Sequence, residues 1–233
     1  MNLPKLQTPR YTLNLPSTKA VIEYLPFLVK EEKVLMIAQE SGNEGAVMKA
    51  VCDVIESCTF GKLQAKDLPS YDIEYLFLKL RSKSVGEIAD IQVACPHCNT
   101  MNPVKVNLDK VAVKSNGDQP KKIMLDNDIG VIPCAMSAQK LDKISKIKDK
   151  GEQFIQMLLN TIESVFDADN VYPSKDVSNK EMVEFVSGLT RSQSQLIEDW
   201  IAAAPSIQHD AKFKCKNAEC GKDASVTIKG TDS

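Results

Sequence analysis

Apolar and polar residues change rhythm several times along the chain, and each rhythm predicts an element. In "YTLNL", Tyr11, Leu13 and Leu15 alternate with polar positions, which predicts a strand among the prolines of residues 1–26. "FLVKEEKVLMIAQES" is apolar nearly all round and is read as a helix or a strand-to-helix passage. Val47, Val51, Ile55 and Cys58 recur at helical spacing and predict an amphipathic helix. After Pro69, Ser70 is placed to cap "YDIEYLFLKLRSKS". There Ile73, Leu76, Phe77 and Leu80 line one face, while Tyr75 and Leu78 make a second face apolar too.

The period then shortens. "IADIQVA" (88–94) and "VKVNL" (104–108) read as strands, Asn116-Gly117-Asp118 as a turn, and "KKIMLDNDIGVIP" as a hairpin. From Ser137 the helical period returns. Leu141, Ile144 and Ile147 mark a lysine-rich helix, and the run from Phe154 to Phe166 a strongly apolar one. Ser178 with Glu181, and Thr190 with Gln193, form capping boxes ahead of two more helices, the second ended by Pro205. Residues 212–229 alternate again. The expected organisation is a mainly helical region at 1–86 with an initial strand, hairpins at 87–134, a helical insertion at 135–206 and a closing strand pair at 207–233.

Two cysteine pairs sit inside the strand-like runs: Cys95 and Cys98 in "CPHC", and Cys215 and Cys220 in "CKNAEC". A tight turn at a hairpin tip lets two thiolates face one ion, and turn N–H groups can donate to the sulfurs. Asn99 and Gly221 follow each pair, and both residue types tolerate the left-handed backbone that such turns need. Two facing knuckles make a closed, four-thiolate structural zinc site. Four thiolates suit iron as well. A redox CxxC would stand at a strand-to-helix junction, and here strand residues follow. The expected fold class is therefore α+β. A helical N-terminal part is joined to a small antiparallel zinc-ribbon-like sheet built from two distant knuckles, with a helical insertion between them. Closing so long a spacer costs about 4 kcal/mol plus a constant, and a structural zinc site supplies on the order of 10 kcal/mol or more.

Other candidates carry less. His97 reads as a solvent-facing turn residue, His209 as a loop or strand-entry residue, and Cys52 and Cys58 as small buried apolar groups. Cys134 has no visible partner. "DADNVYP" lacks the Asp/Asn and Gly that a calcium loop needs at positions 171 and 172, and reads as a polar turn between helices. Lysines 140, 143, 146, 148 and 150 read as a solvated helix face. No phosphate-cradling glycine loop, HExxH or nucleophile elbow occurs.

Composition narrows the classes. The 233 residues are 43% hydrophobic and 26% charged, enough to bury a core without depending wholly on metal. The net charge of −2 and 6% aromatic content argue against a nucleic-acid partner. Seven cysteines without an apolar N-terminal signal region imply a reducing compartment. No run of 18 apolar residues spans a membrane.

Several stretches together resemble one family. "YTLNLPSTK", "PFLVKEEKVLMIAQES", "LPSYDIEYLFLKLRSKSVGE" and "CPHC" are followed by "IESVFDADNVYP", "VSNKEMVEFVSGLT" and the closing cysteine pair. In this order they resemble the baseplate hub and tail-assembly proteins of T-even-type contractile-tailed phages. The resemblance covers nearly the whole chain and matches the knuckles at 95, 98, 215 and 220. It implies a non-enzymatic protein, without a small-molecule substrate, that binds other baseplate hub or wedge proteins. Its place would be the host cytoplasm during assembly or the finished tail baseplate. Two alternatives come from other classes: a zinc-ribbon nucleic-acid-binding regulator, and an enzyme using Cys134 or Cys58 as a nucleophile beside a histidine.

Overall fold

The two cysteine-bearing runs fold as hairpins, as their alternation predicts. Strand β3 (Ile88–Ala94) pairs antiparallel with β4 (Met101–Asn107), and β10 (Ser206–Lys214) with β11 (Asp223–Lys229). The computed structural model describes residues 6–229. Pro4, in the proline-rich start, and Gly230, at the end of the last alternating run, lie outside them. The fold is mixed α+β, with α-helices and small antiparallel sheets in two compact units. One comprises Met1–Ala65, Tyr71–Lys114 and Ser206–Ser233; the other comprises Lys66–Ser70 and Ser115–Pro205.

In the first unit, β1 (Tyr11–Asn14) pairs with β2 (Val21–Tyr24), a strand that the sequence pattern did not disclose. Three helices follow: α1 (Val29–Glu40), α2 (Glu44–Cys58) and α3 (Ser70–Ser84). The ambiguous run from Phe27 to Ser41 thus resolves as helix, begun at Leu28, whose N–H donates to Glu31 Oε2 at 3.0 Å. Val54 and Ile55 of α2 are buried, as are Ile73, Leu76 and Leu80 of α3. The second apolar face of α3 is used as well. Tyr75 and Leu78 pack against a cluster of Val93, Val104, Val106, Leu108, Val111 and Ile207. This cluster joins the β3–β4 hairpin to a three-stranded sheet, in which β10 lies between β11 and β5 (Ala112–Lys114).

Ser206 pairs with Lys114 in that sheet. The segment 115–205 therefore leaves and re-enters the first unit at one rung. The insertion is longer than the expected 135–206. The segment 87–134 divides at residue 114/115, because its distal hairpin joins a different sheet.

That hairpin is β6 (Ile123–Met124) with β7 (Gly130–Pro133). In the second unit it extends through β8 (Ile162–Phe166) to β9 (Val171–Pro173), in the order β6-β7-β8-β9. The apolar run from Phe154 to Phe166 is accordingly not one helix. Helix α5 (Lys150–Thr161) stops, and β-branched Ile162 and Val165 enter the sheet beside β7. "DADNVYP" is not a turn between helices: residues 167–170 form the turn of the β8–β9 hairpin, and Val171–Pro173 are β9 itself. Asp167 Oδ1 accepts from the N–H groups of Asp169 and Asn170 at 2.9 and 2.7 Å.

Helices α4 (Ala138–Ser145), α6 (Asn179–Ser187) and α7 (Arg191–Ala202) complete the unit. Both capping boxes form. The core gathers Ile123, Val131, Leu158, Ile162, Met182 and Ile197. Gly130 lets Phe166 lie across β7: a Cβ there would stand 2.4 Å from the ring and 2.6 Å from Ile123 O.

Candidate metal centre

The two knuckles are built alike. In the first, β3 ends at Ala94 and the chain turns through residues 95–100 before β4 begins opposite it. The Cys95 N–H donates to Thr100 O at 2.9 Å, and the Asn99 N–H returns to Cys95 O at 2.8 Å. Asn99 adopts φ +58°, the left-handed conformation expected of it. In the second, the Cys215 N–H donates to Lys222 O at 2.9 Å, and the Gly221 N–H to Asn217 O at 2.8 Å. Gly221 takes φ +54°, matching Asn99. Each turn thus aims the first and last thiol of its pair to the same side.

Cys95, Cys98, Cys215 and Cys220 come together, their sulfurs all within 4.8 Å of one another. Cys98 Sγ and Cys215 Sγ are 3.5 Å apart, and none of the four is in a disulfide. Four thiolates around zinc at about 2.3 Å stand at the corners of a tetrahedron with edges of about 3.8 Å. The thiol cluster has that size, so its donor set and spacing fit one metal ion. Cys95 and Cys215 are buried, Cys98 and Cys220 half-buried, and Ala224 and Phe213 close the cluster from below.

Two residues that sequence reasoning passed over hold the knuckles to each other. Asn102, buried on β4, donates through Nδ2 to Thr100 O at 2.6 Å and to Cys215 Sγ at 3.8 Å. Its Oδ1 accepts from the Lys216 N–H at 2.7 Å. Asn217 Nδ2 reaches Thr100 Oγ1 at 3.3 Å. These bonds tie one turn to the other and orient a ligand sulfur. The signal in the sequence was slight: a polar side chain at an inward position of an alternating strand.

The electrostatics suit a cation. The hydroxyl and backbone N–H of Thr100 stabilise the Cys98 thiolate and bring its pKa down to about 6. At Cys215 the Asn217 N–H also favours the thiolate. Desolvation and the neighbouring sulfurs of Cys98 and Cys95 outweigh it, and the pKa rises to about 11. Crowded sulfurs resist carrying several negative charges without a cation, and a divalent ion among them removes that resistance.

The remaining candidates lie elsewhere. His97 is exposed at the first tip, and His209 sits on β10 opposite Ile228. Burial pushes the Cys58 thiol up to about 11 and raises Cys52 and Cys134 as well. An activated nucleophile requires the opposite shift. Lys140, Lys143, Lys146, Lys148 and Lys150 are all exposed, and Lys146 pairs with Asp142 one turn away. No helix among the described residues is long and apolar enough to cross a membrane.

Comparison with known proteins places this geometry in context. The family model described as "T4 bacteriophage base plate protein" matches residues 8–233. The baseplate hub assembly protein gp26 of Enterobacteria phage T4 is 25% identical over 220 residues, covering 94% of this chain and 95% of that protein. No solved structure matches the chain.

Proposed function

Because this chain belongs to the T4 bacteriophage base plate protein family, we propose that it is a non-enzymatic baseplate hub component or hub assembly factor. In this reading it binds other hub or wedge proteins while the baseplate is built, in the host cytoplasm, and carries a structural zinc site. The observation that carries the reading is its end-to-end similarity to a hub assembly protein. A shared single domain would leave most of one partner unmatched; here both chains align over nearly their whole lengths. The raised thiol pKa values at Cys58 and Cys134 favour a non-catalytic role.

Cys95, Cys98, Cys215 and Cys220 would hold the zinc, as in a ribbon assembled from two distant hairpins. Bound there, the ion supplies four metal–thiolate bonds and no chemistry. The chain's own residues do the positioning. Thr100 and Asn102 fix the sulfurs, and Asn99 and Gly221 allow the turns. The β5–β10 rung at Lys114 and Ser206 already closes most of the spacer. The ion's contribution is therefore concentrated at the hairpin tips.

The test is a phage lacking this gene, complemented in trans. Loss of complete baseplates, restored by the intact chain, is the expected result. Normal infectious tails from the deletion phage would overturn the reading. Mass spectrometry of mature particles then separates a resident component from a factor that departs.

A further inference from the structure

A cleft of about 380 Å³ lies in the first unit between α3 and the strands that carry the knuckles. That volume is within the range of cavities that enclose ligands. Its strand side is largely apolar, with Ile91, Val106, Leu108 and Ile207 on the floor and Asp90 and His209 beside them. Its α3 wall carries two charged groups, Glu74 and Arg81, separated by Phe77 and Leu78. Seven residues on a helix share a face but stand about 10 Å apart along the axis, and no ion pair joins the two.

Arg81 Nη1 is buried and has no hydrogen-bond partner, the one side-chain nitrogen or oxygen so placed among the described residues. A cationic donor held out of water without an acceptor is costly, and evolved structures rarely leave one. Every other buried polar side-chain atom described here is satisfied, so this exception marks a place where an acceptor is missing. Neither carboxylate of the cleft, Glu74 or Asp90, supplies it; Glu74 lies on the same helix. Burial raises the pKa of the Glu74 carboxyl above the ordinary value.

We propose that this cleft docks an apolar segment of a partner protein that presents a carboxylate to Arg81. A guanidinium fork matches a carboxylate in two parallel hydrogen bonds. The apolar floor requires large apolar side chains next to that carboxylate. The choice of a protein over a fatty acid rests on the assembly reading above. The carboxylate requirement rests on Arg81 alone.

The experiment uses the metal-loaded full chain. It is probed with an array of overlapping short peptides covering the tail proteins of the same phage, and binders are titrated by fluorescence anisotropy. Peptides with Asp, Glu or a free C-terminal carboxylate beside large apolar residues are expected to bind. Their carboxamide counterparts are expected to bind about tenfold or more weakly. Arg81→Met should abolish that preference while leaving circular dichroism and metal content unchanged. If Arg81→Met fails to fold, the carboxylate-to-carboxamide comparison on the unaltered protein decides alone. Absence of peptide binding, or binding indifferent to the carboxylate, overturns the proposal. So does binding of dodecanoate where no peptide binds. Restored assembly with no carboxylate-dependent peptide removes the cleft and leaves the assembly reading. Carboxylate-dependent binding in a chain that is dispensable for tails removes the assembly reading and leaves the cleft.

Discussion

The knuckle tips of the first unit and the core of the second hold their backbones by different means. Around the thiols the buried apolar material is little more than Cys95, Cys215 and Ala224. In the second unit Leu158, Val131 and Ile197 are buried to 1% exposure or less, within one continuous core. Burial of such side chains contributes about 1.5–3 kcal/mol each. The tips have no comparable source, and their order comes from hydrogen bonds among Thr100, Asn102, Lys216 and Asn217 together with four convergent thiols. The lesson is that a hairpin tip too small to bury a core relies on cross-linking hydrogen bonds and on a thiol cluster able to hold an ion, whereas a helix-on-sheet core is held by apolar burial.

The largest effect should come from removing ligands of the proposed ion. Cys95→Ser with Cys98→Ser should forfeit metal-binding free energy on the order of 10 kcal/mol. Amide protection should fall in the two turns, 95–100 and 215–222, while the second unit's helices stay protected in hydrogen-exchange mass spectrometry. An equal loss in both units would break the comparison. Conversely, Leu158→Ala should destabilise the second unit by about 2–5 kcal/mol with metal content unchanged, measured by denaturant titration and metal assay.

Two smaller changes sharpen the contrast. Gly130→Ala forces a methyl group against Phe166 and Ile123 O. It should cost about 1–3 kcal/mol, read as a lowered Tm with knuckle protection intact. Asn102→Leu keeps the thiols and removes their link across the tips. It should weaken metal affinity about 10–100-fold in a chelator competition, with little change in the second unit.

Much of this was legible in the sequence, and the reasons are local. Both knuckle hairpins declared themselves by alternation interrupted at a turn. The capping boxes at Ser178 and Thr190 are set by contacts three residues apart, so spacing alone reveals them. What stayed hidden depends on distant partners. Ile162 and Phe166 continue the helical spacing of α5, and only pairing with β7 makes them strand. Likewise β5 is three residues long and exists because β10 lies beside it, 92 positions away at the Ser206–Lys114 rung. Asn102 and Arg81 were unremarkable as letters. One became informative through a sulfur 113 residues away, the other through the acceptor it lacks.

The central claim is that four cysteines hold one ion and so fix the hairpin tips. Native mass spectrometry of the full chain, purified under reducing conditions, tests it most directly. The account predicts the mass of one zinc per chain, absent from the Cys95→Ser, Cys98→Ser variant. One iron would keep the clamp and overturn the choice of metal. A metal-free chain with all four thiols rapidly alkylated would contradict the account.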